Sequence, residues 1–387
     1  RMSVNYVVAL ALFNMASVRA GRVLLTLYAL KLGASPLAIG MLAASFSVIP
    51  ILFSRASGRW TDRFGSRWLL LLGIAGSSSG MLLPYFMPSL ATVFIAGALS
   101  GLSMTFCNVS LQNLVGLLSE PEHRAQNFSN YTLAGSCAAF VGPLIAGFSV
   151  DHTGYDYACL IVVAIALVPI SMLALRGGGL PLGSGEARPA GNLWHALSAP
   201  GIWPVLAASS VAQVANDLFQ FYMPVYAHDA GLSPSAIGIV LATYSIATFV
   251  ARIFLPGLLS KSGEHKVLGY AFALGGLGCL LVPLFHSAPL LALTSFVIGL
   301  GLGCSSPITM VLMFTRSKEG SSGEAMGLRQ TVDNLTRLVS PVLFGVLASG
   351  AGLAAVFWLN ALLLGSGSLF ARRGSARRRH IPKNRDE

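Results

Sequence analysis

Long apolar runs, interrupted at intervals by short polar or glycine-containing breaks, dominate the chain. A membrane-crossing helix needs about 20 mostly apolar residues. Twelve runs of that kind can be drawn, at 4–29, 37–57, 67–86, 89–118, 125–150, 154–175, 201–227, 234–259, 266–286, 289–314, 324–349 and 352–371. They lack the short alternating strands of a membrane barrel, so helices are expected throughout. The fold class predicted is an all-α membrane protein with twelve transmembrane helices. The longest polar interruption, RGGGLPLGSGEARPAGNLWHALSA at 176–199, falls midway and has the Gly, Pro and charged residues that the runs lack.

Composition narrows the function classes. Of 387 residues, 54% are hydrophobic and only 10% charged, whereas a soluble domain carries about a quarter charged residues. The five cysteines are scattered through apolar runs and read as small buried residues, with no disulfide framework and no metal site. No G-x-x-x-x-G-K-[ST] loop occurs, which argues against an ATP motor, and GLGLG at 299–303 lies within a run where glycines serve helix packing. No nucleophile–base set is legible, so an enzyme or a receptor is disfavoured, and no cofactor is expected.

The net charge of +11 is unevenly placed. With both termini in the cytoplasm, 19 of the 25 Lys and Arg fall on cytoplasmic segments, Lys31 alone falls outside, and Arg19, Arg22, Arg252, Arg329 and Arg337 fall within spans. That asymmetry is the positive-inside rule. The location expected is the bacterial inner membrane, with both ends inside. The arginine-rich tail reads as an anchor to anionic lipid of the bilayer, with nucleic acid the lesser alternative.

An internal repeat runs at one constant offset. GASPLAIG at 33–40 matches GLSPSAIG at 231–238, and the same shift of 198 pairs Gly65 with Gly263, Pro143 with Pro341, Gly147 with Gly345 and Gly154 with Gly352. Two six-helix bundles follow, at 1–175 and 200–372, joined by a cytoplasmic linker at 176–199 and followed by a basic tail at 373–387.

Between the second and third spans stands GRWTDRFGSR, from Gly58 to Arg67. It resembles the G-x-x-x-D-R-x-G-R/K loop of the major facilitator superfamily. AAFVGPLIAG at 138–147, with Gly142, Pro143 and Gly147, is similar to the glycine-rich fifth-span motif of that superfamily's drug exporters, although Ala138 and Ala146 replace two glycines. The resemblance covers the whole chain. It implies a secondary transporter whose spans 1, 4, 7 and 10 line a central path. It also implies that Gly58, Asp62, Arg63, Gly65 and Arg67 latch the cytoplasmic side. The carboxylate of Asp62 suits the positive end of a helix from the other half, such as span 11; the arginines could equally serve topology alone.

Ionisable groups at mid-bilayer depth cost several kcal/mol and are functional candidates. Arg19 and Asp217 occupy equivalent positions of the repeat, since 19 and 217 differ by 198. The resemblance sets these opposite charges across the substrate path. Gln213, Asn216, Asp217 and Gln220 form a polar stripe at helical spacing on span 7, while span 4 offers Asn108 and Gln112. Such stripes also arise from interhelical hydrogen bonding. Arg329, Asp333 and Arg337 share one face of span 11, where Asp333 could bridge both arginines. One carboxylate cannot neutralise two guanidiniums, so an unpaired positive field is expected in the second half. Arg favours bidentate recognition of carboxylate, sulfonate or phosphate. The leading expectation is therefore a monomeric carrier of a small organic anion, with Arg19, Arg22, Arg252, Arg329 and Arg337 among its ligands and Asp217 or Asp333 carrying a coupling proton. The alternative is a drug/proton antiporter.

Overall fold

The computed structural model describes residues 3–120, 123–176, 202–316 and 322–378, with backbone alone at 54–59, 61–63, 124–126, 129, 176, 314–316, 322–327 and 372–378. Every element among them is helical. In chain order these are α1 (Val4–Lys31), α2 (Pro36–Phe64), α3 (Ser66–Phe86), α4 (Leu90–Leu102), α5 (Asn108–Leu118), α6 (Arg124–Arg176), α7 (Ile202–Asp229), α8 (Pro234–Ser262), α9 (Glu264–Leu281), α10 (Ala288–Gly303), α11 (Ser305–Arg316), α12 (Ser322–Ala351) and α13 (Leu353–Arg378).

Nine helical stretches among the described residues are long and apolar enough to cross a membrane. One of them, Asn130–Leu175, holds 46 residues and is interrupted by non-helical backbone at Gly154. α7 and α12, at 28 and 30 residues, have the length and carry the polar stripes. Large apolar side chains such as Leu362, Phe254 and Phe86 stand exposed on the outer surface, where lipid satisfies them. The predicted linker at 176–199 and most of the tail lie outside the described residues. α13 runs on to Arg378, past the end expected at 371.

The repeat is written into the backbone. All the glycines with positive φ among the described residues fall in three pairs at the offset of 198: Gly33 and Gly231, Gly65 and Gly263, Gly154 and Gly352. Each sits where one helix stops and the next begins, a left-handed conformation that a Cβ would strain. Spans 4 and 10 also lose regularity at equivalent points. A π-turn at Ser103–Cys107 joins α4 to α5, and α10 gives way to α11 at Cys304.

The two halves meet along two seams, α2 against α12 and α6 against α8. In both, a glycine lets one helix touch the backbone of the other. A Cβ at Gly40 would lie 2.3 Å from the Pro341 carbonyl oxygen, and at Gly345 3.0 Å from that of Pro36. In the second seam, a Cβ at Gly147 would lie 2.3 Å from the Pro234 oxygen, and at Gly238 2.6 Å from that of Pro143. Shifting either set by 198 gives the other. Lipid supplies no hydrophobic drive between helices, so small residues that admit close backbone approach decide where they pack. Within the second half Tyr222 donates to the Pro341 oxygen at 2.7 Å, and its hydroxyl also lies 3.5 Å from the Pro36 oxygen of the first half. Asp151 accepts from the Ser235 amide at 2.9 Å and from the Ser235 hydroxyl. All these contacts gather at the end of the bundle remote from the start of α1, called the distal end below.

Gly40→Val and Gly147→Val are expected to lower thermal stability in detergent by roughly 1–3 kcal/mol, the usual cost of overpacking. Gly257→Ala, inside α8 with nothing within 4 Å, should not lower it, and helix propensity favours Ala there by about 0.5–1 kcal/mol.

Candidate functional site

α7 supplies the central wall. Ser209, Gln213, Asn216, Asp217 and Gln220 recur every three or four residues, so one face of an otherwise apolar helix is polar. That face lines a cavity of about 490 Å³, within the usual range for small-molecule sites. Across the cavity lie Arg19 and Arg22 of α1, Asn108 and Gln112 of α5, Arg252 of α8, and Arg329 and Arg337 of α12. The sequence-predicted binding residues are thus brought together, and Asp217 with them. Asp333 stands behind this wall, 6% exposed.

The charges pair differently from the ladder expected along α12. Asp333 meets Arg329 at 3.6 Å, and Ser209 joins them, donating to Asp333 and accepting from Arg329 Nε, both at 2.9 Å. Arg337 turns instead to Asp217 on α7, at 3.9 Å. Gln213 bridges this second pair by donating to Asp217 at 2.7 Å and accepting from Arg337 at 3.2 Å. Both acids of the cavity region are therefore matched, each with its own arginine and its own polar bridge.

This arrangement corrects one expectation. The positive excess of the second half does not sit on α12, because Asp217 is the hidden partner of Arg337. Arg19 and Asp217 both face the cavity, yet they form no pair; Arg19 donates to Gln220 at 3.3 Å. Gln220 also accepts from Arg22 at 3.1 Å, and Gln220 is the repeat equivalent of Arg22. Arg252 donates to the Gly303 carbonyl at 3.5 Å, at the break between α10 and α11. Arg19, Arg22 and Arg252 are thus the cavity guanidiniums without a carboxylate partner among the described residues.

Three further residues join the site. Tyr244 donates to Asn216 at 2.8 Å and stacks on Phe219 with ring centroids 4.3 Å apart. Ser103 of the π-turn donates to Asn14 at 2.7 Å. Met104 places its sulfur 3.5 Å from Arg22. Ser209 extends the α7 stripe by one turn and was visible in that spacing; Tyr244 and Met104 carry no signal in the sequence.

The fifth-span motif works as packing. A Cβ at Gly142 would lie 2.6 Å from Cβ of Arg19, so this glycine seats α6 against α1 where the cavity arginine begins. Pro143 also lines the cavity, and Gly147 belongs to the α6–α8 seam. Of the loop motif, Gly65 has positive φ and ends α2, and Arg67 lies on the first turn of α3. Gly58, Asp62 and Arg63, the rest of the expected latch, lie outside the described side chains.

The sequence profile of the Major Facilitator Superfamily matches residues 7–233 and again 205–387. The chain is 25% identical over 352 residues to the multidrug resistance protein MdtG of Klebsiella pneumoniae, covering 87% of this chain and 84% of that one. It is 20% identical over 320 residues to multidrug resistance protein 1 of Bacillus subtilis, covering 82% of each. Among solved structures, the peptide transporter POT superposes with a TM-score of 0.78 at 16% identity, over 97% of this chain and 94% of that one. A nucleoside transporter, NupG, superposes with a TM-score of 0.79 at 12% identity, over 96% and 99%. These likenesses establish the fold.

The two-bridge pairing has a thermodynamic signature. Asp217→Asn and Arg337→Gln should each destabilise the protein, and the double substitution should cost less than their sum by roughly 0.5–3 kcal/mol. Thermal denaturation of the four proteins in detergent measures this; strict additivity would mean that the two side chains do not interact.

Proposed function

Because the chain belongs to the Major Facilitator Superfamily, and so is a multi-pass membrane transporter of small molecules and not an enzyme, we propose that it is a drug/proton antiporter that exports amphipathic compounds bearing an acid group. Export and breadth of substrate rest on the relatives, which are named for multidrug resistance. The acid preference rests on one observation: Arg19, Arg22 and Arg252 line the cavity with neutral partners only, whereas Asp217 and Asp333 are already matched. A cation entering this space would meet net repulsion. A carboxylate or sulfonate would gain charge-assisted hydrogen bonds that the neutral acceptors do not supply.

Asp217 and Asp333 are the proton carriers in this reading. Each gives up its arginine when it takes a proton, an exchange within the second half that needs no parting of the halves, and it links the proton to the substrate because the freed arginine changes the charge of the path. The molecule acts as a monomer in the inner membrane, with twelve crossings, both termini in the cytoplasm and the distal end outside. The bundles are 1–175 and 200–372, joined by the linker at 176–199, and the tail at 373–387 rests on anionic lipid.

Flux into proteoliposomes, measured for aryl carboxylates, neutral analogues and lipophilic cations, tests the substrate class. Arg19→Gln and Arg252→Gln are expected to lower kcat/KM for the carboxylates by about tenfold to a hundredfold, as loss of a charged hydrogen bond implies, with little effect on neutral analogues. Lipophilic cations carried faster than carboxylates would overturn the acid preference. For coupling, Asp217→Asn or Asp333→Asn should abolish flux driven by an imposed pH gradient while sparing substrate exchange. Retention of gradient-driven flux in both variants would remove the two acids from that role.

A further inference from the structure

Arg22 differs from the other cavity arginines in what surrounds it. Its guanidinium carbon lies 5.4 Å from the ring centroid of Phe46 and 5.3 Å from that of Phe221. The two rings are themselves 6.0 Å apart. Phe46 belongs to α2 in the first half and Phe221 to α7 in the second, and they are 1% and 3% exposed. One terminal nitrogen donates to Gln220 and the other meets the sulfur of Met104. Its Nε is buried without a hydrogen-bond partner. Arg22 and Gln220 line the cavity, whereas the two rings do not. The guanidinium thus forms part of the cavity roof, against rings drawn from both halves.

The sequence around Phe221 explains the position. Four successive residues of α7 meet four different neighbours: Phe219 stacks on Tyr244, Gln220 holds Arg19 and Arg22, Phe221 takes the guanidinium face, and Tyr222 bonds the Pro341 carbonyl in the seam. Arg22 therefore touches α7 one residue before Tyr222, whose hydroxyl lies 3.5 Å from the Pro36 oxygen of the first half at the distal end. When the halves part there, Phe221 and Gln220 move with the second half, while Arg22 and Phe46 stay with the first. A desolvated guanidinium loses a ring face and an acceptor at that moment.

We infer that Arg22 is a strut that holds the distal end shut, and that it positions α7 against α1 instead of serving as a substrate ligand. Arg19 carries no ring contact among the described residues and remains the ligand of the pair. The assignment removes one residue from the binding set and gives it a role in the conformational balance, in a state that needs no substrate.

Spin labels at Met87→Cys and Leu284→Cys, on exposed distal loops of the two halves, read the opening of that end. The background carries Cys137→Ala, since Cys107, Cys159, Cys279 and Cys304 are buried. Without substrate, Arg22→Gln and Phe221→Leu are each expected to raise the population of long label distances about tenfold, the scale of one lost desolvated cation–π contact between the halves. Arg19→Gln, which loses only the longer bond to Gln220 and no ring face, should shift the distribution far less. The inference is overturned if the Phe221 variant superposes on the parent, or if Arg19→Gln shifts the distances as far as it does; if Arg22→Gln does not fold, the Phe221 variant decides alone. The readout contains no substrate, so a failed transport assay and a failed strut remain separate results.

Discussion

A charged side chain in the middle of an apolar bundle must be solvated by the protein itself, and much of the structure follows from how that is done. Water would stabilise seven such groups without help; a bilayer cannot. The protein answers with α7. Its polar face supplies Ser209 and Gln213 as bridges for the two acid–arginine pairs and Gln220 as the shared acceptor for two more arginines. The same helix presents Phe219 and Phe221 on its buried faces. One helix therefore decides the charge pattern of the cavity and also takes part in closing it.

Pairing each acid leaves an excess of cations facing the space, and the proposed acid preference rests on that excess. It also limits how the halves can move. The pairs Asp217–Arg337 and Asp333–Arg329 lie wholly within the second half, so rocking need not break them. The contacts between halves are of another kind: hydrogen bonds from Arg19 and Arg22 to the uncharged amide of Gln220, aromatic contacts, and backbone touching backbone. Strong electrostatics are kept inside a rigid body and weaker contacts are placed where motion occurs. Asp151 of α6, bonded to Ser235 at the start of α8, is an exception, and it belongs to one seam only.

Much of this was legible in the sequence because it depends on period and spacing. The offset of 198 came from aligned glycines and prolines, and those same residues carry the positive φ angles and the seam contacts. The α7 stripe was legible because 3.6-residue periodicity places polar residues on one side. Partner choice was not. Arg337 could have turned to Asp333, four residues earlier on its own helix; it meets Asp217 because of the rotation of α12 against α7, which no local pattern encodes. Neither the π-turn at Ser103–Cys107 nor the rings beneath Arg22 left a trace, since both arise from packing between segments far apart in the chain.

The four glycines of the seams meet carbonyl oxygens of proline residues, and a carbonyl oxygen is present whatever side chain the facing residue has. A bulky replacement at Gly40 or Gly147 therefore cannot be rescued by a compensating change of side chain opposite, as it could be in an ordinary core. Drift after a gene duplication is consequently channelled: the walls of the path are free to acquire new selectivity, while the hinge lines on which both copies turn stay as the ancestral bundle left them.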